Sequence, residues 1–419
     1  MFIKKEEKEL LALTGDPVAR LLFLNALLVI ISYGIAVITG LASVDLMKIF
    51  RTIILFGSLT YLFTSKHVKN PSRYFDSGDV PFLFCFLMFV FALNASDILD
   101  SLNRLQTFVI PFLYIYLSLS YLISKYGVRI MLRGLHWSVV LIYSVPCLSY
   151  IAFGGNLSDT NIYGYESEGE QVFVSNHYGW ASALYILSFI YVIKNIKLTK
   201  LSKLFLWSIL FIATILLFSS ANRASWLSIA VAMIPLLLRY KGLKNWQKLT
   251  IMLILGGLIY FFLAEPTSAI NFQVERTLKQ ENEGEDRLEV STFMFKHFND
   301  NPVDWITGVG LFDYSFLKGK TELGKYHNSY WEILFGAGIF LFLIFLSFMV
   351  FRPLFRFIKY YSKYTLLLPP LMIIPFFESN LTAGQFLFYP WFTYMLLLNA
   401  KIKWWVPSPT NTVESLIAV

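Results

Sequence analysis

Long apolar runs recur along the whole length of this chain, and they restrict its fold more than any other feature. A transmembrane helix needs about 20 apolar residues, and a single soluble core cannot bury so many long runs. The sequence therefore predicts an all-α polytopic membrane protein with about 12 transmembrane helices. The predicted segments cover residues 21–41, 49–64, 80–94, 106–124, 136–153, 178–193, 204–220, 225–238, 249–264, 329–351, 365–379 and 386–400.

The net charge of +8 could indicate a nucleic-acid partner, but the positions of the basic residues argue for membrane orientation instead. Most of the 35 Lys and Arg residues fall in alternate interhelical segments. The positive-inside rule places these segments and both termini in the cytoplasm. We therefore expect membrane lipids around the chain and no nucleic acid. The short outer loops keep few basic residues, namely Lys48, Arg51, Arg104 and Arg223.

The predicted topology divides the chain into five parts. Residues 1–20 form a cytoplasmic N-terminus, 21–264 carry helices 1–9, 265–328 form a periplasmic loop domain, 329–400 carry helices 10–12, and 401–419 form a cytoplasmic tail. The loop domain contains two predicted helical stretches, 268–280 and 286–298. In the second stretch Phe293, Met294, Phe295 and Phe298 share a helical register, so we expect it to pack on the membrane domain.

Three cationic or ionisable residues stand out on the outer side. Arg223 lies in a tight connection between two apolar segments, Arg287 opens the second loop helix, and His327 precedes the tenth apolar segment. Each has an ordinary alternative. Arg223 could anchor to lipid headgroups. Arg287 could be a surface residue paired with a nearby glutamate, and His327 a polar helix cap.

Taken together, two guanidiniums and one imidazole suit a diphosphate ester. An arginine binds phosphate oxygens through a planar fork and cannot lose its proton. A neutral imidazole can accept a proton near neutral pH. No Asp, Glu or His cluster has metal-ligand spacing, and "GVGLF" lacks the ending of a nucleotide-binding P-loop. We therefore expect a mechanism with neither metal nor cofactor.

These residues lie in blocks that resemble the bacterial O-antigen ligase and O-antigen polymerase superfamily. The blocks are "SSANRASWLSIAVAMIPLLL", "DRLEVSTFMFKHFNDNPVDWITGVGLFDY" and "HNSYWEILFGAGIFLFLIF". The most specific piece is His327-Asn328 followed, after nine residues, by Gly338. The sequence departs from the family at Leu341, where a second glycine often stands, and at Phe335, near which an acidic residue often stands.

The resemblance implies a C-type glycosyltransferase of the bacterial inner membrane that acts on the periplasmic face. Its donor would be an undecaprenyl-diphosphate-linked glycan. Arg223 and Arg287 would hold the donor diphosphate, and His327 would activate the acceptor hydroxyl, with inversion at the anomeric carbon. Asn328 could orient His327. Asn176, His177, Glu378 and Asn380 could line the same cavity or could simply be polar residues at helix ends.

Two acceptors remain open under this interpretation. A ligase would use the lipid A-core oligosaccharide, and a polymerase would use a second lipid-linked glycan. The long loop between Arg223 and His327 favours the ligase slightly, whereas "HNSYWEIL" and "FESNL" fit a polymerase equally well. A flippase or transporter would instead carry ionisable residues near the bilayer midplane and paired repeats. In a non-catalytic scaffold Arg223, Arg287 and His327 would be dispensable.

Overall fold

The computed structural model describes residues 2–39, 44–152, 175–220, 222–239, 281–321, 326, 328–359, 366–377, 381 and 387–405. Within these ranges the elements are helical, apart from two isolated β-bridges. The helices are α1 (Phe2–Gly15), α2 (Pro17–Thr39), α3 (Val44–Thr64), α4 (Val80–Ala92), α5 (Ile98–Ala152), α6 (Ser175–Asn195), α7 (Lys200–Ser219), α8 (Arg223–Arg239), α9 (Glu281–Asp300), α10 (Asp304–Thr307), α11 (Ser329–Leu346), α12 (Arg352–Lys359), α13 (Leu368–Phe377) and α14 (Phe388–Leu398). A π-turn, Ser347–Phe351, joins α11 to α12.

Every predicted apolar segment that falls in this described part overlaps a helix, and segment 249–264 lies outside it. By length and composition, three of these helical stretches can cross a membrane: Ile98–Ile151, Lys200–Leu217 and Ser329–Arg356. The bent pair Glu7–Gly15 and Pro17–Ser32 makes a fourth if it counts as one span. The chain is thus helical and rich in apolar helices, as a helical membrane protein is, and the number twelve stays a prediction.

Helix α5 unites two segments that the sequence separates. Residues 106–124 and 136–153 fall in one helical stretch that is interrupted only at Gly127, where φ is +73°. This left-handed backbone suits a residue without a Cβ atom. A Cβ there would also lie 3.3 Å from the carbonyl oxygen of Trp404. The interruption therefore marks the point where the segment that contains Trp404 packs against α5.

Most of the basic segments meet at one end of the helix bundle, here called the basic end and defined by residues 13–20, 66–76, 125–134, 194–203, 352–356 and 400–405. Asp16 is central to it. Its carboxylate caps α2 by accepting from the Val18 amide (2.9 Å) and pairs with Lys125 at 2.7 Å. Further contacts join Lys197 to Glu7, Lys401 to the Ser72 carbonyl, Arg356 to Asp76 and Arg133 to the Asn195 carbonyl.

Large apolar side chains are exposed on several helices. Examples are Phe56 on α3, Phe86 on α4, Phe211 on α7 and Phe340 on α11, each at least half exposed. Soluble proteins rarely present such broad apolar surface to water. Contact with lipid acyl chains accounts for these faces.

The opposite end is organised by a break in α11. Gly338 has φ +76° and interrupts the helix, which frees carbonyls that would otherwise accept helical hydrogen bonds. The loop after α10 supplies replacement donors. The Val309 amide donates to the Phe335 carbonyl (2.9 Å), and the Gly310 amide donates to the Gly336 carbonyl (3.0 Å). Non-helical backbone at membrane depth needs this kind of internal pairing.

Glycines make this close approach feasible. A Cβ on Gly308 would lie 2.3 Å from the Gly336 carbonyl oxygen, and one on Gly310 would lie 2.5 Å from Cα of Ala95. Both glycines also have positive φ. The absence of a Cβ thus lets Gly308 of the stretch "TGVG" approach the "FGAG" of α11, and it lets Gly310 approach Ala95.

Helix α9 packs on the first half of α11. Its predicted stretch, 286–298, lies within the observed Glu281–Asp300, whereas the predicted stretch 268–280 lies outside the described residues. Met294 and Phe298 are fully buried and share a cluster with Leu334 and Phe335. The predicted packing of this loop helix on the membrane helices is confirmed.

Candidate active site

The helix that carries the "HN" motif begins at a well-formed cap. The Asn328 side chain is buried, and its oxygen accepts from the amides of Tyr330 (2.8 Å) and Trp331 (3.1 Å). Asparagine is among the preferred residues at such a position because it satisfies amides that have no helical partner. Asn328 thus fixes where α11 starts. The sequence predicts that it orients His327, and that role is not tested by this geometry.

His327 itself lies outside the described residues, but both of its neighbours are buried. The Tyr326 ring is 5.9 Å from the Phe335 ring and 6.2 Å from the Tyr314 ring, centroid to centroid. Burial, together with the nearby Glu332 and Asp313 carboxylates, raises the pKa of Tyr326. The segment that enters α11 is therefore held on both sides of position 327.

A buried carboxylate stands one helical turn after Asn328. Glu332 is fully buried and accepts a hydrogen bond from the Tyr314 hydroxyl. The Arg104 guanidinium lies over the Tyr314 ring at 4.5 Å and pairs with Asp100 at 2.8 Å. These contacts join α5, the loop after α10 and α11 in one polar chain.

The sequence interpretation missed this chain. One signal was available, because Glu332 interrupts an apolar run and an ionisable residue within a membrane segment is a functional-site hypothesis by default.

Asp313 ties the same loop to the start of α5. Its carboxylate accepts from the Ser96 amide (2.6 Å) and hydroxyl, and from the Ser315 amide (3.0 Å) and hydroxyl. Burial alone would raise the pKa of Asp313. The hydrogen bonds from Ser315 and Ser96 together outweigh it and hold the pKa below its ordinary value. The carboxylate therefore stays ionised and anchors the loop.

Helices α6 and α8 begin beside each other at this end. The Asn222 side chain caps α8 by accepting from the Ser225 amide at 2.9 Å, so Arg223 is the first residue of the helix. A Cβ on Gly179 of α6 would lie 2.6 Å from Cβ of Asn222. His177 is buried in the first turn of α6, with its ring 5.0 Å from Trp180. The structure thus places the first turns of α6, which include His177, beside the start of α8.

Helix α13 ends near the start of α11. The Tyr330 hydroxyl donates to the Met372 carbonyl (3.1 Å), and the Tyr330 ring lies 6.1 Å from the Phe376 ring. Helix α13 also packs on α8. The ends of four helices, α6, α8, α11 and α13, are therefore at the same end of the bundle. Three of them present N-termini there, whose partial positive charge favours anions.

For the remaining predicted site residues, the structure describes either the backbone alone or nothing. Arg287 lies in the first half of α9, and Asn176 is the second residue of α6. The side chains of Arg223, Arg287 and Asn176 lie outside the described set, as do Glu378 and Asn380 entirely. Their predicted roles stay predictions.

Comparison with known proteins gives one family. The model of a family described as O-antigen ligase matches residues 208–346, about a third of the chain. The match begins within α7, ends with α11, and contains Arg223, Arg287 and His327. A search of curated proteins found no match.

Proposed function

We propose that this chain, whose residues 208–346 match the O-antigen ligase family, belongs to that superfamily and is a glycosyltransferase that moves a glycan from undecaprenyl diphosphate to an acceptor hydroxyl. The acceptor that we propose is the lipid A-core oligosaccharide, which makes the enzyme a ligase in lipopolysaccharide biosynthesis. The observation that supports this best is that three helix N-termini lie at the same end of the bundle, where the matched region carries Arg223. Partial positive charge at these termini suits a diphosphate.

The proposed topology has about 12 spans in the bacterial inner membrane, with both termini in the cytoplasm. The clustering of basic segments at one end supports this orientation, because cytoplasmic loops carry an excess of Lys and Arg. The opposite end, with the loop domain 265–328, then faces the periplasm. There it would lie beside a donor whose lipid anchor stays in the membrane.

In the proposed reaction His327 accepts the proton of the acceptor hydroxyl. The oxygen then attacks the anomeric carbon, and the bond from that carbon to the diphosphate oxygen breaks on the opposite face. Undecaprenyl diphosphate leaves with the electron pair, and Arg223 and Arg287 stabilise its charge. The two guanidiniums thus supply the positive charge, so the proposed enzyme needs no metal or cofactor.

Arg223→Lys should lower transfer by roughly 10- to 100-fold, since a lysine keeps the charge but loses the bidentate fork. The measurement is transfer in membranes from a strain that lacks the natural gene, at matched protein amounts. Arg129→Lys, an exposed position at the basic end, is the control and should retain normal transfer. Equal activity of the two variants would rule out a bidentate role for Arg223.

A deletion strain separates ligase from polymerase, both of which the family covers. We expect surface lipopolysaccharide to lose its attached polymer while lipid-linked polymer accumulates in the membrane. Core carrying a single repeat unit would instead identify a polymerase acting on a second lipid-linked glycan. The polymerase is the second candidate because "HNSYWEIL" fits it equally well. Unchanged lipopolysaccharide together with unchanged lipid-linked glycan would contradict both functions.

A further inference from the structure

An apolar cavity of about 290 Å³ opens near the basic end, between α1, α2, the second half of α5 and α14. Its interior is lined by side chains such as Phe23, Ala26, Leu135 and Ile142. The volume is near the lower limit of ligand pockets, which is about 300 Å³. Apolar cavities of this kind exclude water and take up apolar molecules. A hydrocarbon chain is therefore the chemistry that suits the interior.

The rim of the cavity is different in character. Thr14 and Arg20 line it where α1 and α2 meet at an angle of 70°. The Arg20 Nε donates to the Thr14 carbonyl at 2.8 Å, which holds this exposed guanidinium at the rim. The nearby Asp16 carboxylate instead engages Lys125, Tyr126 and the Val18 amide. A fixed positive charge thus stands above an apolar interior.

We propose that this cavity binds one acyl chain of an anionic glycerophospholipid, with the lipid phosphate on Arg20. Basic pockets between membrane helices on the cytoplasmic side are suited to anionic headgroups. A cation at the rim and an apolar interior match the two halves of such a lipid. The rim of the cavity, with Thr14 and Arg20, belongs to the basic end, whereas Asn328 lies at the opposite end, so this rim does not face the predicted donor site.

Native mass spectrometry of the purified full-length protein tests the proposal without any transfer assay. The probes are phosphatidylglycerol and zwitterionic phosphatidylethanolamine, titrated separately in detergent. We expect at least one phosphatidylglycerol to remain bound and to bind more tightly than phosphatidylethanolamine. Arg20→Gln should weaken phosphatidylglycerol binding roughly fivefold and narrow the difference between the two lipids.

Two further variants complete the test. Ser138→Phe places a ring in the cavity and should reduce binding of both lipids, with size-exclusion elution checking its fold. Arg129→Gln removes an exposed basic residue outside the lining and should bind as the unmodified protein does. Equal binding of the two lipids, equal losses in Arg20→Gln and Arg129→Gln, or a polyprenyl lipid retained in place of the phospholipid would each overturn the proposal.

Discussion

His327→Ala should lower glycan transfer by about 10²–10⁴-fold, which amounts to loss of detectable lipopolysaccharide attachment, while the protein stays in the membrane. The proposed reaction needs a group that removes the acceptor proton as the anomeric bond breaks. A neutral imidazole does this near pH 7, and alanine cannot. The measurement is lipopolysaccharide on a gel from a complemented deletion strain, with protein amount followed by immunoblot.

His67→Ala is the matched control. This histidine lies at the basic end, with its ring 4.3 Å from Tyr121 and 5.7 Å from Tyr61. Its loss removes an imidazole of the same size far from the proposed reaction, so transfer should persist. Near-normal transfer by His327→Ala would rule out the general-base role of His327. The histidine would then be only a polar residue that precedes α11.

Gly338→Ala should destabilise the fold strongly, although it adds only one methyl group. A Cβ at this position would lie 2.3 Å from the Ile306 carbonyl oxygen and 2.6 Å from its carbonyl carbon. Backbone atoms cannot rotate aside as a side chain does, so the loop and α11 must separate. The backbone conformation at Gly338, with φ +76° and ψ 177°, is essentially restricted to glycine, and it adds about 1–3 kcal/mol of its own. We expect a clearly lower unfolding temperature in detergent and less protein in the membrane.

Gly319→Ala separates strain from overlap. Gly319 has nearly the same φ, +75°, but a Cβ there would meet no atom within 4 Å. Its substitution should therefore cost only the conformational strain and lower the unfolding temperature by a smaller amount. If both variants lost the same stability, the overlap with Ile306 would not contribute, and the close approach of loop and helix would be wrong.

The positions of the apolar helices could be predicted from the sequence because long apolar runs favour helices, whereas the polar helix α1 (Phe2–Gly15) carries no such run. The interruptions within the helices could not be predicted in this way. Gly127 looks like an ordinary small residue, and Gly338 stands out only as part of the His-Asn motif, since the positive φ of both depends on what packs beside them. The carbonyl of Trp404 is 277 positions from Gly127 along the chain, and no local pattern connects them. Only the folded chain reveals that these two glycines are required.

The sequence predicts a chemistry for the candidate site but not the contacts that hold the surrounding segments together. Arg223 stands out because basic residues are scarce in the predicted short outer loops, and His327 stands out because it comes just before an apolar segment. The support from Tyr314 to Glu332, and from Ser96 to Asp313, joins distant segments through hydroxyl groups. Serine and tyrosine are common residues, so their presence in a loop says nothing about their partners. Those partners become known only once the chain is folded.

The joint between residues 309–310 and α11 is made by amides and carbonyls alone. Every amino acid except proline carries the same two groups, so the hydrogen bond at position 309 depends on spacing and not on its side chain, whereas Gly308 is needed for the close approach itself. A change of side chain at Val309 leaves both hydrogen bonds in place. Adding or removing one residue between Gly308 and Gly310 would shift each donor to the wrong carbonyl. Among homologues, the residue type at position 309 should therefore vary, while the length of this stretch should stay constant.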